Sequence, residues 1–227
     1  MPSQPPTAGP PASPTPAQQR GRERRESIIR AAAALIDQVG PRGAALSARE
    51  IAREAGASVG TLYHYFADVD EIVAAVVERY AQDMLAQTDL GAVRPPPADW
   101  AELVHRSQED FLRFFRSRPG LRDLWFDDRA SSRVLDLHRH YRDVLAQRVR
   151  DALHDLTGTS LDLAVCRVQI AVSGALYELA FRMHPDGDEM VLGELRRVSD
   201  DFYTRHLGRV PGSGTADPPA GGRRLPG

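Results

Sequence analysis

The chain has 227 residues, 42% of them hydrophobic and 26% charged, with a formal net charge of −2. That size suits one or two domains with a real core, and the near-neutral total does not by itself mark a nucleic-acid binder. The single cysteine, Cys166, excludes an intramolecular disulfide framework and any cysteine-rich zinc site. No stretch approaches the roughly 18 to 20 apolar residues that span a bilayer. No basic segment followed by an apolar run opens the chain, so a cytoplasmic protein with no membrane partner is expected.

Residues 1–19 are mostly Pro, Ala, Ser, Thr and Gln, without charged side chains or periodicity, and 208–227 are rich in Gly and Pro. Both are expected to be disordered tails, because neither buries enough surface to offset its ordering entropy. Between them the periodicity is helical throughout and strand-like alternation is absent, which predicts an all-α fold of about nine helices. Four belong to a head and five to a body.

The first helix carries Ile28, Ala32, Leu35, Ile36 and Val39 on one face and ends at Gly40, Pro41 and Gly43. Ser47-Ala48-Arg49-Glu50 is a capping-box start for a second helix with Ile51, Ala52 and Ala55 inward. Gly56 ends it, and Ser58 caps a short third helix, Val59 to Phe66, with Leu62 and Phe66 one turn apart. Asp68 and Glu71 start a fourth helix through Ile72, Val73, Val76, Tyr80 and Met84. A Pro-rich joint, Arg94 to Pro97, follows. Asp99 with Glu102 starts a helix burying Trp100, Leu103, Val104, Ser107, Phe111 and Phe114 or Phe115, and Pro119-Gly120 breaks it. A short segment spans Leu121 to Phe126. A long helix starts near Ser131 or Ser132, bears Val134, Leu137, Tyr141, Val144, Leu145, Arg148 and Ala152 on one stripe, and stops at Gly158. Ser160 starts the next, which ends at His184-Pro185, and the last runs from about Asp188 to Leu207. The units are then a helix-turn-helix head over 20–66, a linking helix over 67–90 and a body over 98–207.

Charge is unevenly placed. From Arg20 to Phe66 there are eight arginines against five carboxylates, so the head is mildly basic and the body acidic. The chain has no lysine, so phosphate contacts must come from arginine, backbone N–H or hydroxyl groups.

Ser47 to Phe66, SAREIAREAGASVGTLYHYF, is the informative segment. Two helices meet at a tight turn where glycine adopts a left-handed conformation without cost. The outer side of the second carries Thr61, Tyr63, His64 and Tyr65 where a solvated helix would carry Glu, Lys or Arg. Hydroxyls and imidazole bond phosphates well, Val59 suits a thymine methyl, and Gly60 lets the helix start approach DNA closely. Tyr63 and Tyr65 are alternatively packing residues, and His64 is alternatively a solvated one.

From Arg25 to Tyr80 the chain resembles the TetR family of repressors. The resemblance rests on the apolar first helix, on LSAREIAREAGASVGTLYHYF, and on the DVDEI that opens the fourth helix. It implies a DNA-reading head on a helical body, with Ser47 presenting its helix start to a phosphate. One departure is visible. The family usually has a lysine three residues after the Phe, contacting a phosphate, and here that position is Val69. The contact is dropped or supplied elsewhere, for instance by Arg20 to Arg25.

In the body, polar residues interrupt apolar stripes. His138 and Tyr141 share the long helix, and Gln169, Ser173 and Tyr177 succeed one another on the next. Buried polar groups need partners, which a ligand pocket, a dimer seam or ordinary core hydrogen bonds would all supply. A pocket is expected between the helices starting at Asp99, Ser131 and Ser160, closed by Leu121 to Arg129. Its wall would include Phe111, Phe115, Trp125, Leu137, Tyr141 and Leu176, with His138, Gln169, Ser173 or Tyr177 for polar selection and Glu178 as the only carboxylate at hand for a cation. The last two helices are expected to form the homodimer seam through Leu192, Leu195, Val198 and Phe202, with Ser173, Gly174 and Ala175 permitting close approach.

No enzyme constellation emerges. His105 and Glu109 are one turn apart but lack a third ligand, and there is no HExxH, P-loop, GxSxG or CxxC. His138 and His140 do not share a helix face. No cofactor and no metal are expected. The reading is a homodimeric repressor that binds double-stranded operator DNA and is released by a small, mostly apolar molecule. The alternative is a constitutive or architectural DNA-binding regulator with a solid body and no effector.

Overall fold

The structure, a computed structural model, describes residues 15–39, 46–87, 95–127 and 130–210. Among them all regular structure is helical. The helices are α1 (Pro16–Val39), α2 (Ala48–Glu54), α3 (Val59–Tyr65), α4 (Val69–Gln87) and α5 (Trp100–Arg116), followed by α6 (Pro119–Trp125), α7 (Ser132–Thr157), α8 (Leu163–Met183) and α9 (Glu189–Leu207). Residues 1–14 and 211–227, which cover most of both expected tails, lie outside the described residues, as do Gly40, Pro41 and Gly43. Two tail boundaries move inward. Pro16 to Gln19 are already helical, so Arg20 to Arg25 lie within α1. Gly208 is tied to the body, its carbonyl accepting from Trp100 Nε1 at 3.2 Å.

Local sequence explains the head. Ser47 Oγ accepts from Glu50 N at 3.2 Å, which is half of the expected capping box. Glu50 does not reach back; its carboxylate accepts from Arg53 Nε at 2.8 Å. Gly56, at φ +59°, closes α2. Ala57 N donates to Ala52 O and Gly56 N to Arg53 O, the paired bonds of a Schellman turn that only a left-handed residue permits. That turn sets the crossing of α2 and α3. Ile51 and Leu62 are then fully buried against Ile28, Ala32 and Ile36 of α1.

Head and body are joined through one core. A single apolar cluster runs from Ile28, Leu62 and Phe66 along α4 (Ile72, Val76, Tyr80) to Phe115, Tyr177 and Leu195. Tyr80 Oη donates to Asp37 Oδ2 at 2.9 Å, and burial together with that carboxylate pushes its pKa up. Arg133 of α7 lies 3.4 Å from Asp68 and 3.7 Å from Asp70 at the start of α4. The closest approach is that of α6 to α1. A Cβ at Gly120 would sit 2.5 Å from the Ile36 carbonyl carbon and 2.7 Å from Asp37 Cα, so only glycine lets the two backbones touch.

Two body expectations are corrected. Ser160 does not start α8; Asp162 caps it, accepting from Ala164 N at 2.8 Å, and Ser160 Oγ lies 3.2 Å from His154 Nδ1. Leu192 and Leu195 are not an open seam, because they are buried within their own chain. Ser173 and Gly174 also turn inward, leaving Ala175 outside. The uncovered apolar stripe is on α8 instead: Val168, Val172, Leu179 and Met183, with Met190 beyond it. By length and mean hydropathy α8 is also the one helix among the described residues that would reach across a bilayer, with 22% of its apolar window buried, but a single weakly apolar helix does not mark a membrane protein. Its hydropathy is high because it is apolar on two sides, one facing the core and one facing out.

The Gly120 contact yields a test. In a free helix Gly→Ala gains about 1 kcal/mol, but here the methyl meets backbone that cannot swing aside. Gly120→Ala is expected to destabilise by about 1 to 3 kcal/mol in urea denaturation. Gly193→Ala on α9, where the methyl meets open space, is expected to be neutral or stabilising. Equal behaviour of the two would contradict the contact.

Candidate functional site

The first candidate surface is α3. Leu62 and Phe66 anchor it with almost no exposure. Arg25, though exposed, extends the anchor with its guanidinium 4.9 Å from the Phe66 ring centre. Ser58 caps α3, accepting from Thr61 N at 3.0 Å, and its Oγ lies 2.9 Å from Thr61 Oγ1. With the inner side fixed, Ser58, Val59, Gly60, Tyr63 and His64 stand exposed on one short surface, Val59 at 38% and Tyr63 at 52%. Thr61 is half-buried beside them. A large apolar side chain and a tyrosine left this open are costly in water, and they suit the methyl and phosphate edges of a groove.

Not every predicted residue shares that surface equally. Tyr65 is half-buried and packs on the head core, with its hydroxyl 3.9 Å from where a Cβ of Gly21 would lie. Ser47 is half-buried with its oxygen occupied by the α2 cap. Val69 packs against the core at the first residue of α4. Arg20, Arg22 and Arg24 are exposed along α1, whose Gly21 lies beside the Tyr65 hydroxyl.

The second candidate is a cavity in the body with about 100 Å³ of room for water-sized molecules. Its wall comes from α5 (Val104, Phe111), α6 (Trp125, Phe126), α7 (Tyr141, Leu145, Val149) and α8 (Ile170), with Met84 of α4 and Tyr203 of α9 at its ends. Gln169, Ser173 and Tyr177 also line it, as the sequence predicts. Tyr177 Oη donates to the Gln108 carbonyl at 3.1 Å, and burial raises its pKa.

Four predicted lining residues are not there. Phe115 is completely enclosed by Phe111, Phe114, Trp125, Phe126 and Phe181, with ring centres 4.6 to 6.3 Å away, so no face is left for a ligand. His138 lies behind Trp125, their rings 4.6 Å apart, and its Nε2 has no protein partner. Leu137 and Leu176 are also off the wall. Glu178 is turned to Arg182 at 3.1 Å, and no carboxylate lines the cavity.

Sequence reasoning missed Gln108 and Ser199. Gln108 follows Val104 by one turn and precedes Phe111, a polar break in an apolar stripe like Gln169. Ser199, fully buried, lies one turn after Leu195 on α9. A serine gives little sequence signal there, because it hydrogen-bonds its own helix.

Comparisons with known proteins agree with this layout. Residues 28–76 match the family model described as bacterial regulatory proteins, tetR family, and residues 98–203 match a tetracyclin repressor-like C-terminal domain. The chain is similar to a solved TetR-family transcriptional regulator from Streptomyces coelicolor, at 25% identity and a TM-score of 0.65, covering 83% of this chain and 99% of that one. It also resembles a transcriptional regulator from Rhodococcus sp. Rha1, at 20% identity and a TM-score of 0.63, covering 82% and 99%. The multidrug binding protein EbrR, solved in complex with imidazole, shares the fold at 22% identity and a TM-score of 0.57, covering 78% and 89%. The chain matches no curated relative.

His138 supplies a pH test. Burial, helped by the nearby Arg142 charge, pulls its pKa from 6.5 down to about 4. The folded state therefore holds the imidazole neutral while the unfolded chain takes up a proton first. Stability is complete above pH 6.5 and is expected to fall as pH drops towards 4, by at most about 3 kcal/mol. His138→Phe, which keeps a ring on Trp125, should flatten that part of the stability profile. An unchanged slope in the variant would contradict the assignment.

Proposed function

The chain belongs to the TetR family of bacterial regulatory proteins and is a DNA-binding transcriptional regulator, and from that premise we propose that it is a cytoplasmic, homodimeric repressor released from its operator by a small, mostly apolar effector. Each protomer offers one short recognition helix, too little surface for specific binding alone. A two-fold pair would read a palindrome with half-sites about 34 to 36 Å apart, or a multiple of that. Val59 and Thr61 would meet base edges. Ser58, Tyr63, His64 and Tyr65 would hold phosphates, Ser47 would present its helix start to one, and Gly60 would allow the approach.

The dimer reading is supported by the stripe Val168, Val172, Leu179 and Met183 on α8. A contiguous apolar helix face in water calls for a partner, and a second α8 is the self-complementary one. An obligate interface built on it would bury about 2,000 Å² or more.

The effector reading is carried by one observation: an apolar, aromatic-walled cavity lies against both α4 and α5 to α9. Material lodged there presses on the helix that enters the head, and it shifts the DNA-competent population only if it binds the two states differently. EbrR, of the same fold, carries imidazole. The constitutive alternative has the cavity's modest size in its favour, since ligand pockets usually measure roughly 300 to 1,000 Å³. Bare polar atoms in the wall weigh against it, because a solid body would pair them.

Three measurements test this reading. Tyr63→Ala should weaken binding to operator and to unrelated DNA alike, whereas Val59→Ser should relax preference at one base pair by about 1 to 3 kcal/mol. Unchanged operator affinity in a folded Tyr63→Ala protein would refute the placement of α3. Val172→Glu should yield monomers by sedimentation at micromolar concentration and lose operator binding; a dimer would exclude α8 as the seam. A panel of apolar compounds should contain one that raises stability, by about 2.7 kcal/mol at one hundred times its dissociation constant, and that lowers operator affinity.

A further inference from the structure

The polar side of the cavity is organised by a single hydroxyl. Ser199 Oγ donates to the Leu195 carbonyl at 2.8 Å, one turn back on α9. Its only proton is thereby committed, and towards other groups the oxygen can only accept. Two side-chain amides converge on it. Gln108 Nε2 of α5 and Gln169 Nε2 of α8 each donate to it at 2.8 Å. The second proton of the Gln169 amide points to Ser173 Oγ, 3.3 Å away. Neither amide can be turned over, because its oxygen would then face an oxygen that has no proton to give.

The consequence falls on the other end of each amide. Gln108 Oε1 and Gln169 Oε1 are buried and accept from no donor among the described residues, and both residues line the cavity. Gln169 is 2% exposed. Two buried acceptors without a donor therefore belong to residues of the cavity wall, among aromatic and aliphatic side chains. Among the described residues no carboxylate lines it and Arg142 is its one charged residue, so a cation finds no counter-charge there and a like charge nearby.

We infer that the effector is a neutral aromatic or alicyclic molecule carrying a hydrogen-bond donor, a hydroxyl or an N–H, which it gives to the side-chain oxygens of Gln108 and Gln169. This rests on the effector reading above and adds the chemistry that selects among apolar molecules. An apolar molecule of the same shape would leave both carbonyl oxygens desolvated and unpaired, which is the costly arrangement.

Two matched pairs of probes separate the inference from the reading it rests on. Phenol and anisole, and indole and 1-methylindole, differ in the donor hydrogen. Calorimetric titration of the full-length protein should show phenol and indole binding about tenfold or more tighter than their methylated partners. In Gln108→Met and in Gln169→Met that preference should fall towards one. Both replacements keep an unbranched side chain, and Gln108, being only partly buried, is the safer of the two for folding. Ser199→Ala, which frees both amides to turn, should weaken the preference without touching the ligand. Equal or tighter binding of the methylated probes would overturn the inference and leave the effector reading standing. Binding of none of the four would overturn both.

Discussion

The contact between Gly120 and the last turn of α1 is the constraint on which the arrangement depends. It brings α6 down onto the Ile36 carbonyl, and no other residue type fits there without moving one backbone. With α6 seated, Arg118 lies over Phe114 at 4.4 Å and over Tyr80 at 5.8 Å, and Arg122 reaches the Pro185 carbonyl at 2.5 Å. The short helix is thus clamped between head and body. Because α4 also runs from the head core into the body core, α3 cannot be reoriented without disturbing helices that wall the cavity. Packed interiors move between discrete arrangements and resist small continuous shifts. The effector reading proposed above depends on this property.

The polar network around Ser199 is the second structural commitment. Three helices, α5, α8 and α9, donate or accept at one buried oxygen. Apolar packing alone would allow these helices to slide, whereas directional bonds fix their register. The same bonds leave two side-chain carbonyl oxygens without a donor in residues of the cavity wall. This is a site in the body that packing alone does not account for.

Much of this was legible in the sequence, for identifiable reasons. Ser47, Ser58, Asp99 and Asp188 act as caps because short polar side chains before apolar periodicity have few other uses. The head is readable because Gly56, Leu62 and Phe66 are tied to local geometry. What failed depended on tertiary direction. Leu192 and Leu195 recur as a stripe, but a stripe does not say which neighbour covers it, and α8 rather than a second copy does so. The same ambiguity hid the outward side of α8, whose two apolar sides merge into one hydrophobic segment in sequence. Phe115 and Phe111 are both aromatic on one helix, and only the surrounding rings decide that Phe115 is core while Phe111 meets the cavity. Gly120 reads as a helix breaker, yet it sits inside α6 and its function is contact with α1.

Native-state hydrogen exchange of the full-length protein tests most directly whether head and body are one unit. The amides of Ile28 to Ile36 in α1, Ile72 to Tyr80 in α4 and Cys166 to Tyr177 in α8 draw on one continuous interior or on cores packed against it. They are predicted to share the free energy and denaturant dependence of global opening. Opening of the α1 amides at a free energy several kcal/mol lower, with α8 still protected, would mean that the head moves independently. That result would contradict a path from cavity to recognition helix through packed structure.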